Sequence, residues 1–233
     1  MLELWRLFRA ERDDPAPFYQ RLANDVVGDL EQRHGRLFER RIVDLGAGPG
    51  FYTRAFREVG AVVLPLESEI AELQLAGDPP AGAVVGDAAR LPIRSRTVDG
   101  VFCSNMLEHT RDPARVIDEM ARILRQGGWA YLSFTNWYSP WGGHEMSPYH
   151  LLGPRLGVRL YERRHGPEHK HRVGENLFPT HIGPVLSLFA ARDDVQVDSV
   201  EPRYWPWASF ITRIPGVREL LSWNCVVRFT RRR

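Results

Sequence analysis

Cysteine is scarce in this chain. Cys103 and Cys225 are the only two among 233 residues, they lie far apart, and neither belongs to a CxxC pair. Neither a disulfide framework nor a thiolate zinc site is therefore indicated, and a reducing cytoplasm is the simplest home. Excess charge is missing as well. Lys+Arg number 31 against 29 Asp+Glu, a formal net charge of +2, so nothing general draws the chain to nucleic acid and no nucleic-acid partner is expected. No apolar run approaches the ~20 residues of a membrane-spanning helix. The opening stretch MLELWRLFRAERDD is broken by Glu3, Arg6 and Arg9, unlike the core of a signal peptide. There is no internal repeat and no low-complexity linker. With 43% hydrophobic and 26% charged residues, the composition is that of a globular chain long enough for one sizeable α/β unit.

What the chain does have is a rhythm of short apolar runs and helical patterns. Residues 14–34 place Leu22, Val26, Val27 and Leu30 on one helical face, with Gly35 as a stop. Apolar runs follow at 41–46, 61–67, 82–87, 97–105 and 129–136, separated by helical stretches near 51–59, 69–75 and 112–128. In the last of these, Asp112 suits the N-cap, Pro113 the first turn and Gly127 a left-handed stop. This alternation predicts a parallel sheet with crossover helices. Between 137 and 178 the pattern dissolves into Gly, Pro, His, Arg and aromatics, as a binding loop does. A helix near 180–191, a strand near 195–203, an amphipathic helix near 207–221 and a strand at 224–230 complete the chain.

The first apolar run ends in VDLGAGPG, residues 43–50. Glycines here remove the Cβ that would hold a ligand away, and they tolerate positive φ. The dinucleotide fingerprint G-x-G-x-x-G is not met, because position 51 is Phe, and no G-K-[ST] follows to make a P-loop. A carboxylate at Asp44 would repel a pyrophosphate, whereas it could hold the ammonium group of an amino-acid-bearing cofactor.

These residues resemble class I S-adenosylmethionine (SAM) dependent methyltransferases of the small-molecule branch. VDLGAGPG is similar to that family's first motif, GDAARLP (86–92) to its third-strand motif, and residues 98–133 continue the likeness. The resemblance covers roughly residues 41–135. It implies a Rossmann-like three-layer α/β sandwich with a seven-stranded, mostly parallel sheet and an antiparallel last strand. It further implies an N-terminal helical cap (1–40), a SAM-binding core (41–136), a substrate-binding lid insertion (137–178) and a C-terminal completion of the sheet (179–233). Gly46, Ala47, Gly48 and Gly50 would floor the SAM site with Asp44 below. Glu67 would bind the ribose, with Glu69 as a substitute beside Pro65. Asp87 and Ala88 would meet the adenine, and Asn105 and Met106 would line the pocket.

Glu108-His109 resembles the E-H pair of quinone-biosynthesis O-methyltransferases, whose metal-binding pattern has an acid three residues before the Glu. Here that position is Asn105, so no metal is expected. His109 is the candidate general base, followed by His144 and Glu145 in the irregular stretch. Basic residues between Arg155 and Arg172 suggest an acidic or phosphate-bearing acceptor, although most such runs are solvated faces. The aromatic segment 204–223 reads first as core packing and permits peripheral membrane contact through a lipid-linked acceptor. The expected activity is methylation of a small-molecule, glycan or lipid-linked acceptor, O-methylation being favoured. The competing readings are an NAD-dependent oxidoreductase and a catalytically silent SAM-binding partner subunit.

Overall fold

The computed structural model describes residues 16–232; the reading of the first fourteen residues falls outside them. Seven strands form a single sheet: β1 (Arg41–Leu45), β2 (Val62–Glu67), β3 (Val84–Val85), β4 (Val98–Ser104), β5 (Leu124–Thr135), β6 (Val195–Pro202) and β7 (Asn224–Arg231). Their order is β3-β2-β1-β4-β5-β7-β6, parallel from β3 to β5, with β7 antiparallel to both its neighbours. The strand order thus reverses between β1 and β4, the place where ligands bind in sheets of this kind.

The three layers follow from the two-residue period of the strands. Val43, Val101, Cys103, Leu132 and Val227 face one core, shared with α4 (Pro113–Ile123) and α6 (Ile182–Ala190) through Val116, Ile117, Met120 and Phe189. The intervening residues Ile42, Phe102, Tyr131 and Val226 face the other, shared with α1 (Ala16–His34) and α2 (Phe51–Glu58) through Val27, Leu30 and Phe56. Central strands apolar on both faces are what a parallel sheet covered on both sides requires.

Several boundaries differ from the sequence expectation. Asp112 does cap α4, accepting a hydrogen bond from the Arg115 N–H at 3.1 Å, with Pro113 in the first turn. The helix stops at Ile123 rather than at Gly127, because Leu124 turns extended and begins β5. Gly127 does have positive φ (72°), within that strand, where the pairing with β4 shifts register between Val98 and Gly100. The predicted helix near 69–75 is a single turn, α3 (Ile70–Leu73). The segment 207–221 is two pieces, a 3-10 stretch Pro206–Arg213 and α7 (Val217–Leu221), with Pro215 and Gly216 between them. Pro65 does not break β2; it pairs in register with Asp44.

The irregular region contains α5 (Pro154–His165) and two 3-10 turns, His144–Met146 and Tyr149–Leu152. It is held by its own small core of Trp137, Met146 and Leu177. His150 belongs to this scaffold: it is buried, bonded to the Ser139 carbonyl and packed on Trp137.

Trp129 lies over Gly100 and stacks on His34 of α1, with ring centroids 5.1 Å apart. A Cβ on Gly100 would come within 2.5 Å of the indole. Gly100→Ala is therefore expected to lower stability by about 1–3 kcal/mol, read as a lower urea midpoint at unchanged m-value.

Candidate functional site

Parallel pairing, together with the reversed β7, brings an end of every strand to one rim. Gly46, Glu67, Asp87, Asn105, Thr135, Arg203 and Asn224, at the ends of β1 to β7, all line one cavity of about 1640 Å³. Drug-sized ligand pockets hold about 300–1,000 Å³, so there is room here for two molecules.

One wall is the glycine-rich turn. Gly46 has φ +75° and Gly48 φ +49°, in the left-handed region where glycine is at ease. A Cβ on Gly46 would strike Met106 at 2.7 Å, which ties the two predicted residues together, whereas a Cβ on Gly48 would meet open space. The Gly48 N–H donates to Glu67 Oε2 at 3.0 Å, so Glu67 lies directly against the turn. Asp87 lines the cavity with one carboxylate oxygen held by the Ala89 N–H at 2.8 Å, and Ala88 lies beside it. Asn105, at φ +53°, accepts a hydrogen bond from Asn224 Nδ2 at 2.7 Å.

Two of the predicted cofactor residues do not reach the cavity wall. Gly50 backs onto Pro80, whose ring would lie 2.3 Å from a Cβ there. Asp44 is buried beneath the turn, where its Oδ2 accepts the Thr53 hydroxyl of α2 at 2.6 Å. Burial pushes its pKa up from 3.8 to about 6; the Thr53 hydroxyl opposes this rise and the charge of Glu67 adds to it.

The opposite wall is imidazole. His109, His144 and His171 bring one ring nitrogen each within 4.8 Å of one another. His109 Nδ1 donates to the Asn176 carbonyl at 2.8 Å, and His171 Nδ1 donates to Glu145 Oε2 at 2.6 Å. Glu145 also accepts the His171 backbone N–H at 2.7 Å, so it orients His171 and is not itself on the cavity wall. Burial works against its charge, but the His171 hydrogen bonds prevail and hold its pKa at about 2. His144 is pulled down to about 3 by burial and by the neighbouring rings of His171 and His109. Glu108 turns inward instead: it is buried, with Oε1 accepting the Thr135 N–H at 3.0 Å.

The basic run between Arg155 and Arg172 is largely solvated; of its cations, only Lys170 lines the cavity, and it pairs with Glu72 at 2.8 Å. The other cations on the wall are Arg111 and Arg203. Arg203 is bonded to Tyr52 and to the Ser104 hydroxyl at 3.0 Å, and no carboxylate among the described residues pairs with it. His171, Asn176, Arg203 and Asn224 were missed as site residues. The topology carried a signal for the last two, since they stand at the β6 and β7 ends that meet the rim. His171 had none, because the fold that brings it to His109 lies in the region without periodicity.

A family model described as a methyltransferase domain matches residues 43–132. An uncharacterized methyltransferase of Mycobacteroides abscessus is 38% identical over 233 residues, covering 94% of this chain and 89% of that protein. The chain belongs to the SAM-dependent methyltransferases. A second relative of this methyltransferase, from Mycobacterium avium, is also 38% identical, covering 94% of this chain and 90% of its own length. The fold is shared with a SAM-dependent methyltransferase from Mesorhizobium loti, at TM-score 0.57 and 22% identity over 94% of this chain and 99% of that one.

In the methyltransferase, a carboxyl whose pKa rises from 3.8 to about 6 on folding contributes stability that is fully present below pH 3.8. That contribution is lost as pH rises through about 6, and it amounts to about 3 kcal/mol. Asp44→Asn retains an acceptor for Thr53 and removes the ionisation. It is expected to raise the urea midpoint at pH 8, with the two proteins converging toward pH 4. Parallel curves at both pH values would mean that Asp44 ionises freely in the fold.

Proposed function

We propose that this methyltransferase transfers the methyl group of SAM to a hydroxyl of a small-molecule, glycan or lipid-linked acceptor bearing an acidic group, with His109 taking the proton. The observation that carries this reading is a single cavity with a bare glycine turn on one wall and a histidine cluster on another. Gly48 supports the cofactor's fit, since its left-handed φ and the open space before it make a cradle that a side chain would fill. On this reading Gly46, Ala47 and Gly48 form the floor, shaped from behind by Asp44 and Gly50. Glu67 takes the ribose hydroxyls, Asp87 and Ala88 take the adenine, and Asn105 and Met106 line the methyl end.

When bound, SAM supplies a sulfonium methyl group for in-line displacement. The chain's own work is to align the partners, exclude water and move one proton. Donation from His109 Nδ1 to the Asn176 carbonyl fixes the tautomer, leaving Nε2 unprotonated. Nε2 would take the proton of the acceptor hydroxyl that receives the methyl group. His144, at about 3, and Glu145, at about 2, hold protons too weakly to share this task at neutral pH. They shape the site, which narrows the three sequence candidates to one base.

Residues 137–178 act as the lid, contributing Trp141, His144, Lys170 and His171 to the cavity. Arg203, Arg111 and Lys170 offer cations to an acidic acceptor. Peripheral contact has its support in the aromatic segment, which is not mainly core as its composition suggested. Trp205 and Trp223 reach the cavity, while Trp207 is 78% and Phe210 56% exposed. Among the described residues no helix is long and apolar enough to cross a membrane, so such contact is made from one side.

Incubation with methyl-labelled SAM and an extract of the source organism is expected to label an acidic molecule that partitions with lipids. Label confined to water-soluble neutral products would remove the lipid-linked reading. Gly48→Val is expected to abolish binding of S-adenosylhomocysteine in calorimetry. His109→Ala should leave that binding intact and lower turnover by about 10²–10⁴-fold.

A further inference from the structure

We propose that His109, His144 and His171 form a binding site for one divalent first-row transition-metal ion of the Zn²⁺ or Co²⁺ kind, with a coordination position left open to the cavity. The three residues come from separate segments: the turn after β4, the 3-10 turn His144–Met146 and the irregular stretch before Val173. Their ring centroids lie 4.3 to 5.3 Å apart, and a ring nitrogen of each lies within 4.8 Å of the others. Ion–nitrogen bonds of about 2.0–2.1 Å require the rings to close inward by a small side-chain rotation.

The orientation of the rings is that of ligands. His171 gives its Nδ1 proton to Glu145 and His109 gives its own to a backbone carbonyl, so each keeps an unprotonated Nε2. A carboxylate or carbonyl behind each imidazole is the arrangement that fixes metal-ligating histidines. His144 adds an independent sign: its Nδ1 is buried with no hydrogen-bond partner of normal geometry. His144 also sits at φ +50°, in a region rarely adopted by residues other than glycine.

The donor set indicates the ion. Three neutral imidazoles suit Zn²⁺, Co²⁺ and their neighbours, whereas Mg²⁺ and Ca²⁺ seek oxygen. Three protein ligands with an open fourth position is the form of a reactive site, not of a structural one. This site shares His109 with the E-H pair but takes its other ligands from elsewhere. Asn105, in the place of the acid, is bonded to Asn224, and Glu108 is bonded to the Thr135 N–H. The ion's role, though not its binding, rests on the proposed O-methylation. There the ion would hold the acceptor oxygen at its open position, and His109 Nε2 would be a ligand when the ion is bound and the base when it is not.

Chelator-treated, untagged full-length protein titrated with CoCl₂ tests the site. Expected are saturation at one equivalent with the visible absorption of a four-coordinate Co²⁺ centre, bleaching by ZnCl₂, and no effect of excess MgCl₂. His144→Ala and His171→Ala should lose the band, and Glu145→Gln should weaken binding by about 10–100-fold. Calorimetry with S-adenosylhomocysteine on the same samples reports folding. Absence of a one-equivalent band in the wild type overturns the proposal, as does a band retained in both folded histidine variants. Should those variants not fold, Glu145→Gln decides: unchanged Co²⁺ affinity overturns the site and weakened affinity sustains it. A wrong acceptor chemistry would leave the Co²⁺ band untouched, and a failed Co²⁺ titration would leave cofactor binding and turnover untouched.

Discussion

Parallel pairing is the constraint from which the rest follows. Each of β1 to β4 is joined to its successor by a chain that must return to the same starting edge, so their carboxyl ends collect on one rim. The rim acquires two more contributors because β7 runs backwards between β5 and β6, delivering Asn224 from its first residue and Arg203 from the end of β6. A site fed from seven strands needs no single long loop to position its glycine-rich half.

The two halves of the cavity are built by different physics. The glycine wall is held from beneath by the buried Asp44–Thr53 hydrogen bond, which pins the turn to the first turn of α2, and by half-buried Met106, which fills the space that a side chain at residue 46 would need. The histidine wall is held from the side by the irregular region, through Glu145 to His171 and Asn176 to His109. The first is framed by the regular sheet and its helices, the second by a stretch without periodicity.

This division explains what was legible in the sequence. Strand alternation, the acid at 44, the glycines and the acids at 67 and 87 obey periods and spacings of a few residues, and the sheet with the glycine-rich turn at its rim could be read from them. Helix ends were read less well, because the stop of α4 is set by β5 pairing with β4 and not by Gly127. The far wall was nearly unreadable. His109 was visible beside its strand, but His171 meets it across more than sixty residues of chain without a repeat, and Glu145 looked like a base until its partner was in view. Exposed aromatics such as Trp207 misled for a related reason: composition says that such residues are sticky, not which side of the sheet edge they occupy.

The pair between Lys170 and Glu72 joins the irregular region to the helical turn after β2 at the cavity's edge, and both side chains reach solvent, at 57% and 31% exposure. An ion pair of that kind contributes about 0–1 kcal/mol, of the order of thermal energy. The clasp over the mouth is therefore one that ordinary fluctuation can undo and ordinary salt can loosen, while the walls it spans stay folded. A methyltransferase whose reactants passed at that edge would meet only a light latch there.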